Sequence, residues 1–116
     1  ILQMHDVWHL VAGYRTTGLH EIAISAFQLA QFNHNYSAMF LASVLAIAHC
    51  RQPDGFALLA HTVAEAWGHG RETPPLMAIP WEACWELSID ELRSRFRIEP
   101  FRGSFPADLF EKLRAA

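Results

Sequence analysis

The chain has 116 residues, 52% of them hydrophobic and 18% charged, with a formal net charge of −3 and a pI near 6.1. That length and apolar content suit one domain with a sizeable core, and the acidic balance gives no electrostatic reason to expect nucleic acid. The longest apolar run, Ala38 to Ala48, is shorter than the ~20 residues a bilayer-crossing helix needs. Cys50 and Cys84, far apart and without CxxC spacing, read as small buried thiols of a reducing compartment.

The first predicted helix covers residues 2–13, and Gly13 and Gly18 mark a reversal into a second, antiparallel helix that starts near Leu19 and runs to Gln31. Thr16 or Thr17 stands where a cap for it belongs. Between residues 1 and 50 the only charged side chains, His aside, are Asp6, Arg15 and Glu21. His5 and His9 are spaced i, i+4 and Asp6 precedes His9 by three, so the three share one helical face. Glu21 lies about as far after the turn as His9 lies before it, and helices packed roughly 8–10 Å apart would aim it at the imidazoles. Two imidazoles and two carboxylates suit zinc, iron, cobalt or manganese without choosing among them. A hydrogen-bonded His–Asp pair beneath a core fits the spacing as well. Glu21 weighs toward a metal, because an inward carboxylate on an apolar helix needs a cation, and Arg15 in the turn is expected to face water.

Asn33 and Asn35 make the next break, with Asn35 as cap for a third helix from Tyr36 to about Arg51. Its Ala38, Ala42 and Ala46 form a stripe of small side chains, read either as close helix packing or as the floor of a groove for a long hydrocarbon. Pro53-Asp54-Gly55 ends that helix and opens a fourth, with Phe56, Leu59, Val63 and Trp67 on one face. Its other face carries His61, Glu65 and His69, a second candidate metal stripe that a solvated face explains as well. His20, His34 and His49 are isolated and read as surface or hydrogen-bonded residues.

Fifteen of the twenty-one charged residues fall in 71–116. Thr73-Pro74-Pro75 is a rigid connector, and Pro80 opens a short helix whose Trp81 and Trp85 are expected to pack on the bundle. Ser88-Ile89-Asp90-Glu91 reads as a capping box for a helix through Phe96. Arg93, Arg95, Arg97 and Arg102 form a solvated face or a contact for an anionic membrane or a phosphate. A last helix is expected over Ser104 to Arg114. The whole reads as all-α, a single helical domain built on an antiparallel helical hairpin.

HDVWHLVAGYRTTGLHEIAISAFQLAQ resembles the HDxxH, eleven residues, Glu signature of the ubiquinone (coenzyme Q) biosynthesis protein Coq-four family. GRETPPLMAIPWEACWELSIDELRSRFRIEP is similar to that family's C-terminal half. The family has sequence ahead of HDxxH that is missing before Ile1, so residues 1–116 are expected to be one such helical domain without its N-terminal segment. The resemblance implies that His5, Asp6, His9 and Glu21 are the metal ligands and the catalytic set, with zinc ahead of iron, cobalt or manganese. It implies a lyase-type, metal-dependent decarboxylation with oxidation at C1 of a polyprenyl hydroxybenzoate-type precursor. The alternative is a scaffold without activity that binds an isoprenoid or quinone intermediate and carries a structural metal. The implied partners are the polyprenylated aromatic quinone precursor, other quinone-biosynthesis proteins, a membrane surface and a second copy in a homodimer. The implied location is peripheral, on the cytoplasmic face of a bacterial membrane or, in a eukaryote, the matrix side of the mitochondrial inner membrane.

Overall fold

Leu19, Ala23, Ile24, Ala26 and Phe27 cover most of one helix's circumference, and a helix apolar on so many sides must be covered by several neighbours. A computed structural model describes residues 2–32 and 35–115, and the side chains of 6–32 and 35–112. It places this helix, α2 (Gly18–Gln31), at the centre, against α4 (Pro53–Glu72) most extensively and α3 (Asn35–Arg51) next. The remaining helices are α1 (Leu2–Ala12), α5 (Ile89–Phe96) and α6 (Leu109–Ala115), with 3-10 turns at Leu76–Ala78 and Trp81–Ala83. No strand occurs among the described residues, and the expected all-α architecture is met.

The α2–α4 contact is close because Gly70 allows it: a Cβ there would lie 2.6 Å from the Phe27 carbonyl oxygen and 2.8 Å from Ala30 Cβ. Gln31 then pins the end of α4. Its amide nitrogen donates to the carbonyls of Gly70 and Thr73, both at 2.9 Å, while its oxygen accepts from the Leu76 N–H at 2.8 Å. Trp8 on α1 packs edge-on against Phe27 and Phe32, which joins the first helix to this core.

The turn after α1 is set by Gly13, whose φ of +82° is the left-handed value that closes a helix C-terminus, and Tyr14 N–H returns to the His9 carbonyl at 2.9 Å. The other end carbonyls of α1 are satisfied from the far end of the chain. Phe101 N–H donates to Ala12 O at 2.8 Å, and Arg93 donates through Nε to Val11 O and through Nη2 to Leu10 O. So Arg93, expected on a solvated face, serves as a cap, because three carbonyls at a helix end need donors. At α2 the expected threonine cap is replaced: Thr17 has cap geometry but donates its hydroxyl to Ala107 O, and the Glu111 carboxylate takes the Gly18 N–H.

Ser88 accepts the Glu91 N–H as the capping pattern requires, and α5 ends with Arg97 in the left-handed region and Ile98 N–H bonded back to Arg93 O. Trp81 is buried, with its indole N–H on Leu76 O, whereas Trp85 and Trp67 are exposed. A single 3-10 turn is too short to aim both Trp81 and Trp85 at the core. The stripe Ala38, Ala42, Ala46 also faces outward, and so does Cys50. The helix α3 lies at the edge and buries only Ser37 and Leu41, since α2 and α4 close the core against each other. Ser104 and Phe105 form a bend, Ala107 and Asp108 a turn, and α6 starts only at Leu109, after Pro106.

The two left-handed residues give opposite expectations. Gly13→Ala should lower stability by about 2–4 kcal/mol, from left-handed strain plus the collision of its Cβ with Pro100 Cβ at 2.8 Å and Phe101 N at 2.9 Å. Arg97→Gly, at an exposed position, should raise it by up to about 1 kcal/mol. Urea midpoints at unchanged slope check both.

Candidate functional site

His9 is buried in the last turn of α1, and two bonds to one residue fix it. Its carbonyl accepts the Tyr14 N–H, and its Nδ1–H donates to the Tyr14 carbonyl at 3.1 Å. A carbonyl only accepts, so the proton must sit on Nδ1, and Nε2 is left to face outward. There it meets Glu21 Oε1 from the first turn of α2 at 2.9 Å. The two helices of the hairpin thus bring together the imidazole and the carboxylate that the spacing pairs.

This contact lies on the wall of a cavity of about 1040 Å³. Asp6 lines the same cavity, exposed, one turn before His9. The side chain of His5 lies outside the described residues. Among the described residues, no group of three or more His, Cys, Asp or Glu side chains stands close enough to hold a metal. The His9–Glu21 pair does fit a cation. An imidazole nitrogen with its other nitrogen oriented by a carbonyl, 2.9 Å from a carboxylate oxygen, matches the ~3 Å that separates two donors bound at about 2.0–2.1 Å to one ion.

Behind the pair stands a block of rings that single-residue reasoning missed. Tyr14 stacks on Phe101 at 4.6 Å and 16°, and its hydroxyl donates to His69 Nδ1 at 2.8 Å. His69 Nε2–H donates in turn to Glu99 O at 2.6 Å, so neutral His69 satisfies both its nitrogens. His20, buried beside Tyr14 and Phe101, accepts the Arg15 N–H on Nδ1 at 2.9 Å. The sequence carried one signal for this: Tyr14 and His20 both sit in or beside the turn that follows His9. Burial pushes the Tyr14 phenol far above its ordinary range. Burial likewise holds His69 below the usual imidazole range, against the opposing pull of the Glu99 carbonyl and Glu72. His20 is lowered first by burial, then by the charge of Arg15 and by His9.

The second stripe does not converge. His69 turns inward to Tyr14, while Glu65 accepts the Ser104 N–H and hydroxyl, at 3.1 Å and 2.8 Å, with His61 Nε2 3.5 Å away. It ties α4 to the segment that walls the cavity. Arg15 is exposed, as expected of the turn, and His49 is exposed too, while His34 lies outside the described residues. A second cavity, of about 570 Å³, opens on the other side of α2, lined by Ile22, Val44, Ile47, Leu59 and Phe110 among others.

Residues 1–102 match the family model described as coenzyme Q (ubiquinone) biosynthesis protein Coq4. The chain is 31% identical over 96 residues to the mitochondrial ubiquinone biosynthesis protein COQ4 homolog of Drosophila melanogaster, covering 83% of this chain and 35% of that one. To the mitochondrial ubiquinone biosynthesis protein COQ4 of Mycosarcoma maydis it is 29% identical over 126 residues, covering 83% and 34%. A crystal structure from Nostoc punctiforme, described as that of a ubiquinone biosynthesis protein, superposes with a TM-score of 0.72 at 32% identity, covering 82% of this chain and 46% of that one. The chain therefore spans about a third of the length of the curated relatives it matches.

His20 and His69 both have folded-state proton affinities below the ordinary value of 6.5, so the unfolded chain takes up their protons first. Stability should hold above pH ~6.5 and fall as the pH drops through it. His69→Gln should lower overall stability yet flatten that slope. Urea midpoints between pH 5 and 8 read both effects.

Proposed function

The chain belongs to the coenzyme Q (ubiquinone) biosynthesis protein Coq4 family, and from that premise we propose that its large cavity binds a divalent cation, zinc first, and removes the C1 carboxyl of a polyprenyl hydroxybenzoate-type precursor, with oxidation at that carbon. The observation that carries the reading is the 2.9 Å approach of His9 Nε2 to Glu21 Oε1 across the hairpin, with Nδ1 already committed to Tyr14 O. His5 and Asp6, one turn earlier on α1, would complete the set. When bound, a divalent cation supplies Lewis acidity toward a ring hydroxyl or carboxylate oxygen, easing the build-up of negative charge as carbon dioxide leaves. Substrate access to a cation held by these four residues would require one of them to let go. Glu21 is the half-exposed donor of the pair, and its carboxylate can take the ring hydroxyl's proton. The buried Tyr14 and Phe101 rings keep water from the back of the site. The oxidation at C1, which puts oxygen where the carboxyl was, takes two electrons from the ring and needs an oxygen-donating oxidant of the dioxygen or peroxide class from solution.

The second cavity, with Ile22, Val44, Ile47 and Leu59 on its wall, offers apolar room for an isoprenoid tail. Tyr36, Met39 and Ile47 are exposed on α3, which supports a peripheral membrane contact, a second copy or another quinone-biosynthesis protein on that face. The same apolar face favours a second reading, a scaffold that presents the intermediate to other enzymes with the metal structural. No described helix is long and apolar enough to cross a membrane. With mitochondrial relatives, a eukaryotic bearer would keep this protein in mitochondria, on the matrix side of the inner membrane; a bacterial one would keep it on the cytoplasmic face.

Zinc affinity by competition with a chelating dye, together with metal content by mass spectrometry, tests the site. His9→Ala should lose about 100-fold or more in affinity, beyond the 10–100-fold typical of removing an outer partner. His61→Ala should leave it unchanged. Parent-like zinc binding by His9→Ala would sink the reading, and metal loss from both would move the site to α4.

A further inference from the structure

The cavity that holds the His9–Glu21 pair is also walled by Arg15 and Arg102. Both are exposed, and neither guanidinium has a hydrogen-bond or ion-pair partner among the described residues. Their backbones, by contrast, are pinned. Arg15 N–H is held on His20 Nδ1 at 2.9 Å. Arg102 follows Phe101, whose N–H is bonded to Ala12 O and whose ring is stacked on Tyr14. Arg93 shows how this fold uses an arginine for structure, with Nε and Nη2 both spent on α1 carbonyls. Arg15 and Arg102 are anchored through the backbone alone, with their guanidinium donors unspent.

Charge points the same way. The cavity wall carries two carboxylates, Asp6 and Glu21, and two guanidiniums, Arg15 and Arg102, which balance. A divalent cation on His9 and Glu21 leaves the wall with an excess of positive charge that an anion would neutralise. Guanidinium forks match carboxylate and phosphate oxygens two bonds at a time. Phe105, half-buried on the same wall, offers an apolar surface to whatever carries the anion. We propose that Arg15 and Arg102 form an oxyanion subsite that takes the carboxylate or phosphate of an aromatic ligand and sets its head group against His9 and Glu21. This rests on reading the cavity as the substrate site, and it assigns the residues that determine preference for anionic substrates.

Calorimetric titration of the full chain at low ionic strength tests it, with benzoate, phenyl phosphate and benzamide as probes. The parent should bind benzoate or phenyl phosphate at least ten-fold more tightly than neutral benzamide, and the tighter of the two names the head group. Arg15→Gln and Arg102→Gln should each weaken that anion about ten-fold, leaving benzamide unchanged, while Arg95→Gln, exposed and outside the cavity, should change neither. Anions bound no better than benzamide, or bound equally by the parent and both cavity variants, would overturn the subsite. Zinc should tighten anion binding in the parent, by linkage, but not in His9→Ala. Loss of the zinc effect with arginine dependence intact counts against the metal reading alone, so the two failures are distinguishable.

Discussion

Six residues of backbone, from His9 through Tyr14, hold the site in place. The Tyr14 N–H closes on the His9 carbonyl and the His9 Nδ1–H on the Tyr14 carbonyl, so one turn ends α1, reverses the chain and fixes an imidazole tautomer. The turn exists because Gly13 adopts a left-handed φ that another residue would pay about 1–2 kcal/mol to hold. It also sits against Pro100 and Phe101 with no room for a side chain. Orientation of the reactive nitrogen is therefore a consequence of helix termination, and Glu21 needs only to stand in the first turn of α2 to meet it.

The far end of the chain locks this arrangement. Arg93 and Phe101 supply donors to the Leu10, Val11 and Ala12 carbonyls, and Glu111 supplies an acceptor to the start of α2. The termini of both hairpin helices are thus completed by residues some 80 to 90 positions away. The same C-terminal segment brings Phe101, Arg102 and Phe105 to the cavity, tethered to α4 through Ser104 and Glu65. Closing the helix ends and building the cavity wall are one event in this fold.

Polar groups behind the site are neutral and paired. The Tyr14 hydroxyl donates a hydrogen bond to His69 Nδ1, and His69 Nε2–H donates one to Glu99 O, so neither ring demands a counterion that would compete with Glu21 for a cation. The stacked Tyr14 and Phe101 rings make the wall stiff, which suits a site that must hold donors at fixed separations. Stability is concentrated there and between α2 and α4, while α3 shows apolar side chains to the outside.

The helices, their breaks and the pairing of His9 with Glu21 were legible in the sequence, because periodicity, Gly13, the Ser88 cap and the scarcity of charge are local signals. The family was legible for the same reason, since its signature is a spacing. What each helix faces was not. Ala38, Ala42 and Ala46 read as a packed stripe or the floor of a groove but are exposed, for a helix apolar all round carries no mark of which neighbour covers it. Arg93 and Arg102 are alike in sequence, yet one is spent on carbonyls and the other is left at a cavity rim. His69 read as part of a metal stripe or of a solvated face and became the partner of Tyr14. Those assignments depend on which distant backbone groups lack a donor or an acceptor, and only the assembled chain decides that.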